Sequence, residues 1–80
     1  MLNLNLNDSV VREFPALTGQ GGREIFPAGR QVGKVSDISE NVITAVVQTP
    51  DGPSIMRFSR ATGVSVHGEK HGRITREPAG

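Results

Sequence analysis

Two histidines, His67 and His71, come closest to a metal site by residue type and spacing. Imidazoles four residues apart share one face of a helix and can bind one metal ion from there. Gly68 and Gly72 follow them directly, and glycine weakens a helix interior. Two solvent-exposed loop histidines are therefore the preferred interpretation, and we predict no metal.

Other arrangements that support catalysis are incomplete. Ser65 and His67 are two residues apart, but no nucleophile elbow surrounds Ser65. The segment at 29–34 has three residues between its glycines, whereas a phosphate-binding loop has four, and Val35 stands where that loop needs Ser or Thr. The acidic residues are scattered singly, and cysteine is absent. The sequence therefore predicts no enzyme activity and no cofactor.

Basic residues concentrate in the last third of the chain. Residues 54–80 contain five basic and two acidic side chains, whereas residues 1–53 contain four basic and six acidic ones. Guanidinium groups bind phosphate oxygens or carboxylates through paired hydrogen bonds. Ordinary solubilising charge is the alternative interpretation. The candidate partner-binding residues here are Arg57, Arg60, Lys70, Arg73 and Arg76.

The elements that must position these residues are strands. Nine Val and five Ile supply half of the hydrophobic positions, and branched side chains suit a pleated sheet. No apolar series at helical spacing persists for three turns. The predicted strands cover residues 10–14, 23–26, 31–38, 41–49, 54–60, 64–67 and 73–76, and the alternating Leu and Asn at 2–7 begin another strand or stay loose.

Residues 41–49 form the strongest predicted strand. Ile43, Ala45 and Val47 fall on one face, while Val42 and Val46 fall on the other. Because it is apolar on both faces, we expect it to be central. On the next predicted strand, Met56 and Phe58 point inward and Arg57 points outward.

A long loop rich in Gly and Pro spans residues 15–29 around the short extended piece at 23–26. Loops of this length in small domains are often functional. We expect residues 19–29 to contribute to a contact surface, with Arg23, Phe26 and Arg30 among the partner-binding residues. Phe14 and Phe26 are the only candidates for exposed base-stacking aromatics, and a place in the core is the alternative for both.

Several segments of the chain resemble known groups of proteins. Pro-Ala-Gly-Arg-Gln-Val-Gly-Lys-Val at residues 27–35, followed by Ile38, Val42 and Val46, resembles the opening of SH3-like barrels, including the KOW class. This resemblance implies that glycine at Gly33 lets the strand curl and that paired valines fill the barrel. The segments at 5–10, 17–21 and 57–63 resemble small proteins of tailed phages and prophages, which implies an accessory or host-directed protein.

The composition favours a cytoplasmic location. A secreted domain of this size usually needs disulfides, and this chain has no cysteine. Its longest apolar run, Ala45-Val46-Val47, is too short to span a membrane, and residues 1–8 lack the features of a signal peptide.

We therefore predict an all-β, single-domain SH3-like barrel of five to six short strands, ordered over about residues 8–76 and frayed at 77–80. The expected function is that of a non-enzymatic phage or prophage accessory module, in the host cytoplasm, that binds a protein partner. A nucleic-acid-binding barrel that uses the basic C-terminal face is the alternative. Self-association through an edge strand is a further expectation.

Overall fold

A computed structural model of the chain describes residues 2–77, apart from the side chains of Leu17, Gln20 and residues 24–26. Two 3₁₀ turns, Gln20–Gly22 and Glu69–His71, are the helical elements of this part, and neither is long or apolar enough to cross a membrane. The strands are β1 (Ser9–Phe14), β2 (Leu17–Thr18), β3 (Glu24–Phe26), β4 (Gly29–Ile38), β5 (Val42–Thr49), β6 (Gly52–Ser59) and β7 (Arg73–Arg76).

Five strands form one open antiparallel sheet in the order β6–β5–β4–β1–β7. This confirms the all-β prediction. β1 pairs with β4 on one side and with β7 on the other, so that Val10 lies between Gly33 and Arg76. The last strand of the chain is thereby joined to the first. β4, not β5, is the middle strand, although β5 is an interior strand that pairs with β4 on one side and β6 on the other.

The core lies on one face of this sheet. Ile43, Ala45 and Val47 of β5 are fully buried, as their alternation predicts. Phe58 of β6 also points inward and is fully buried, whereas Arg57 is exposed. The buried cluster consists of Leu4, Val10, Val35, Ile43, Ala45, Val47, Phe58 and Ile74.

Gly33 allows β4 and β5 to approach each other closely. A Cβ atom at this position would lie 2.6 Å from the backbone oxygen of Val46, closer than any side chain tolerates. Only glycine permits so close an approach of two strands. The register between β4 and β5 shifts between Val35 and Asp37, as it does at a β-bulge.

Residues 63–66 connect the two outer strands. Toward β6, Ser59 N–H donates to Val64 O at 2.7 Å, and Val66 N–H donates to Arg57 O at 3.1 Å. Toward the other side, Ile74 N–H of β7 donates to Gly63 O at 2.8 Å. The predicted strand over 64–67 is therefore only two isolated bridges, because the segment divides its pairing between two neighbours.

The N-terminal segment differs from its alternating pattern. Leu4 is buried and Leu2 packs against the core, but Leu6 is 58% exposed. The Asp8 carboxylate accepts a hydrogen bond from Asn5 N–H at 2.8 Å, and Asn7 has a φ of 69°. This turn redirects the chain at residues 5–8, so the leucines do not share one face and residues 2–7 form no strand.

The long loop contains more regular secondary structure than the sequence predicts. β2 and β3 pair as a small hairpin, separate from the main sheet, with the first 3₁₀ turn at its tip. The polar loop at 68–72 likewise contains the second 3₁₀ turn. At the C-terminus, Glu77 N–H donates to Ser9 O at 3.0 Å. The rest of the predicted frayed end, 78–80, lies outside the described residues.

Candidate functional site

The outer face of the sheet carries valines as well as charge. In β4, Gly33 and Val35 are buried while Arg30, Val32 and Lys34 are exposed, because neighbouring residues of a strand face opposite sides. Val32 is 51% exposed and pairs in register with Val11 of β1. Val35, on the opposite face of β4, joins the core.

Two adjoining depressions surround Val32. One has a volume of about 380 Å³ and is lined by Ser9, Val32, Gly33, Lys34, Val46, Gln48 and Glu77. The other, of about 370 Å³, is lined by Val11, Arg30, Val32 and Glu77. Because they share Val32 and Glu77, we treat them as one feature, the outer valine groove.

Two valines that line the outer valine groove, Val11 and Val46, are themselves buried or half-buried. Val11 is only 4% exposed although it lies outside the core cluster, so the strands around it already exclude water. Val46 is half-buried and pairs with Lys34 on one side and Ile55 on the other. When a partner covers the apolar surface that stays accessible in such a groove, the free energy falls, and this favours binding.

Positive charge borders the groove on β4. Arg30 and Lys34 flank Val32 on the same face, two residues away on either side. The Arg30 Nε lies 3.5 Å from a carboxylate oxygen of Glu13, so this guanidinium already has a partner. The ion pairs of the described residues involve Arg30 and Arg76, and Lys34 takes part in neither. Lys34 is thus the basic group at the groove that can meet a partner's carboxylate.

The predicted arginines of β7 point in different directions. Arg76 shares the face of Ile74, whereas Arg73 faces the other way. The Arg76 guanidinium donates to the Asp8 carboxylate at 3.3 Å and to the backbone carbonyl of Asn3. Arg76 therefore anchors the N-terminal segment of its own chain.

Arg73 lies beside carboxylates. It pairs in register with Glu13, and a depression of about 390 Å³ at this end of the sheet includes Glu13, Glu69 and Arg73 in its lining. Two acidic groups around one guanidinium make this surface a poor site for phosphate.

The other predicted C-terminal residues are also dispersed. Arg57 is exposed on β6, and Lys70 is exposed on the second 3₁₀ turn. Arg60 is half-buried and donates to Ser39 O at 3.3 Å. The structure thus does not gather the five basic residues on one face, and their role in binding a partner stays a prediction.

The structure places the candidate binding residues of the long loop in different parts of the molecule. Arg30 lies on the rim of the outer valine groove, whereas Arg23 is exposed between the first 3₁₀ turn and β3. The Phe26 backbone pairs with Leu17, but its side chain lies outside the described part of the chain. Phe14 is half-buried, and the Arg12 guanidinium lies 4.7 Å from the centre of its ring.

The histidines lie close together without a third ligand. The rings of His67 and His71 are 5.7 Å apart in an edge-on arrangement, and both residues are exposed. Residues 2–77 contain no cluster of three or more His, Cys, Asp or Glu side chains suited to a metal. Ser65 Oγ accepts a hydrogen bond from the backbone N–H of His67, rather than one from its ring.

Comparison with known proteins finds no family model, no curated protein and no solved structure that matches this chain. Its function is therefore inferred from the geometry of its surfaces.

Proposed function

We propose that this chain is a non-enzymatic interaction module that binds a protein partner through the outer valine groove. The observation that supports this most strongly is Val32, a half-exposed apolar side chain above the water-excluded floor formed by Val11. Protein interfaces characteristically combine an apolar centre with a polar rim, and the groove has both.

The occupant we propose is an extended segment of a partner protein that carries an apolar side chain next to a carboxylate. The apolar side chain would cover Val32 and the carboxylate would meet Lys34. Charge complementarity supports this choice, because Lys34 has no ion-pair partner among the described residues while Arg30 is held by Glu13. Glu77, on the opposite rim, disfavours a second acidic group there.

For the scaffold we propose a small SH3-like barrel. Three features support closure of the sheet: the close approach of β4 to β5 at Gly33, the pairing of β7 with β1, and the hydrogen bonds of residues 63–66 to both outer strands. Closure protects strand edges from uncontrolled pairing, which suits a module that binds by one surface.

The biological setting we propose is that of a phage or prophage accessory protein in the host cytoplasm. The sequence resemblance at residues 5–10, 17–21 and 57–63 supports this setting.

Binding to nucleic acid is the second candidate function. The exposed Arg57 and Lys70 favour it, because phosphate contacts supply most of the affinity of such proteins. The carboxylates beside Arg30, Arg73 and Arg76 disfavour it, since they reduce the charge offered to phosphate.

A capture experiment with a matched pair of variants tests the proposal. Val32→Asp places a charge in the outer valine groove, whereas Val66→Asp makes the same change at a valine of similar exposure, 48% against 51%, that does not line the groove. Wild type and both variants are immobilised, exposed to bacterial lysate with and without nuclease, and washed over a range of salt concentrations.

We expect one protein species to be retained by wild type and Val66→Asp, to resist nuclease, and to be lost from Val32→Asp. Burial of an unpaired carboxylate in an apolar contact is sufficient to abolish binding. Retention that Val32→Asp leaves unchanged contradicts the groove. Retention that disappears with nuclease and falls steeply with salt favours nucleic acid.

A further inference from the structure

A small cationic pocket lies between β1, β6 and the second 3₁₀ turn, apart from the outer valine groove. Its volume is about 130 Å³, and its lining consists of Arg12, Ile55, Met56, Arg57, Ser65, His67 and His71. Four of these seven side chains carry or can take up positive charge, and no carboxylate of the described residues contributes to the lining. We call this feature the cationic pocket.

Arg12 is the fixed element of the cationic pocket. Its Nε donates to His71 O at 2.9 Å, its Nη1 donates to the side-chain oxygen of Gln31 at 2.7 Å, and its guanidinium lies over the ring of Phe14. Partial burial lowers the pKa of Arg12, because removal from water disfavours its charge. An anion would offset that desolvation, and a guanidinium has five N–H donors, more than these two bonds use.

The groups around Arg12 complete a set of donors. Arg57 is exposed and lines the cationic pocket together with its neighbours Ile55 and Met56. The rings of His67 and His71 lie 5.7 Å apart on the segment that ends in the second 3₁₀ turn. Ser65 Oγ accepts a hydrogen bond from His67 N–H, and a hydroxyl can donate while it accepts.

We propose that the cationic pocket binds a tetrahedral dianion, the terminal phosphate of a phosphate monoester. Two guanidiniums match the double negative charge of such a group, two imidazoles can add hydrogen-bond donors, and arginine provides the paired donors that its oxygens need. A phosphodiester fits less well, because it carries one negative charge and is substituted on both sides.

Titration of the backbone amide signals in NMR spectra, with sulfate and inorganic phosphate as probes, tests this site. We expect saturable shifts at residues 12, 57 and 65–71 of the wild-type protein. Arg57→Gln removes one charge-assisted interaction at an exposed position and should weaken binding about tenfold or more. Arg73→Gln, an equal charge change outside the cationic pocket, should leave the affinity within about twofold.

The two outcomes of the variant comparison are distinct. A selective loss in Arg57→Gln supports the proposal. Equal weakening by Arg57→Gln and Arg73→Gln, or the absence of saturable shifts in the wild type at millimolar anion, overturns it. In both cases the amide spectra also report whether the variant is folded.

A second set of probes distinguishes the source of the phosphate. O-phosphoserine and a nucleoside 5′-monophosphate both present a monoester, and an oligonucleotide without terminal phosphates presents only diesters. We expect both monoesters to shift the signals of the cationic pocket and the oligonucleotide to bind at least about tenfold more weakly. Equal affinity for the oligonucleotide would overturn the assignment to monoesters.

A His67→Gln, His71→Gln double variant tests the part played by the histidines. Both residues line the cationic pocket beside Arg12 and Arg57. The N–H groups of their rings can donate hydrogen bonds to an anion. We expect the double variant to bind sulfate about tenfold more weakly than the wild type at the same pH. An unchanged affinity would overturn the assignment of the histidines to the site.

Discussion

At the scale of the residue, the alternation within β5 decides which side chains carry stability and which remain available for binding. Val47 is fully buried, whereas its neighbour Gln48 faces outward and is exposed. The same alternation in β4 buries Val35 and exposes Val32. A valine therefore has opposite roles on the two faces of one sheet.

Val47→Asp should unfold the protein. A buried, unpaired carboxylate costs more than about 4 kcal/mol, which is comparable to the whole free energy of unfolding of a small domain. Gln48→Asp introduces the same charge on the exposed side of the strand and should change the free energy of unfolding by less than about 0.5 kcal/mol. Denaturant titration followed by circular dichroism measures both. A cooperatively folded Val47→Asp variant would contradict the core assignment.

At the scale of the element, the connection between the outer strands depends on Gly63. This residue has a φ of 81°, and a Cβ atom there would lie 2.6 Å from the backbone oxygen of Ile74. Gly21, at the tip of the hairpin of β2 and β3, has a similar φ of 75° but open space around its Cβ position. Substitution by alanine would strain the backbone at both glycines, but only at Gly63 would the new methyl group also clash with a neighbouring backbone atom.

Gly63→Ala should therefore destabilise the fold more than Gly21→Ala. Both variants incur the cost of a left-handed alanine, about 1–2 kcal/mol. Gly63→Ala adds a clash that displaces β7 from residues 63–66, for which we expect about 1–3 kcal/mol more. Thermal unfolding of the two variants measures the difference. Equal melting temperatures would mean that residues 63–66 do not hold the outer strands together.

The sequence predicts elements well where one local signal acts alone. A run of branched apolar residues makes β5 visible, and the inward Met56 and Phe58 on either side of the outward Arg57 do the same for β6. β7 begins and ends where the pattern places it. Residues 64–67 are less predictable because their pairing is divided between two different strands. The leucines at 2–6 alternate as a strand would, but a side-chain hydrogen bond between Asn5 and Asp8 turns the chain.

The candidate sites were harder to predict than the strands, because surfaces depend on which elements become neighbours. A basic C-terminal third is visible in the composition, but the carboxylates that accompany it come from β1 and the N-terminal segment, far away in sequence. In the sequence, Val32 lies between Arg30 and Lys34 at a spacing of two residues, which indicates that the three side chains share one face of a strand. No motif or spacing in the sequence indicates a binding role for Arg12.

At the scale of the whole molecule, the two proposed sites leave the core untouched. The outer valine groove is formed on β1, β4 and β5 with Glu77, and the cationic pocket lies at β1, β6 and the second 3₁₀ turn. Variants at one site should leave the other intact, since exposed substitutions have small effects on the fold. Self-association through a strand edge remains a prediction, which sedimentation of the wild-type protein tests.

The central claim is that a protein partner binds over Val32. A photoreactive amino acid placed at position 32, and in a second preparation at position 66, tests it most directly after irradiation in bacterial lysate. We predict a cross-link to one protein from position 32, resistant to nuclease and competed by excess wild type, and none to that protein from position 66. Cross-links to nucleic acid, or the same products from both positions, would contradict the claim.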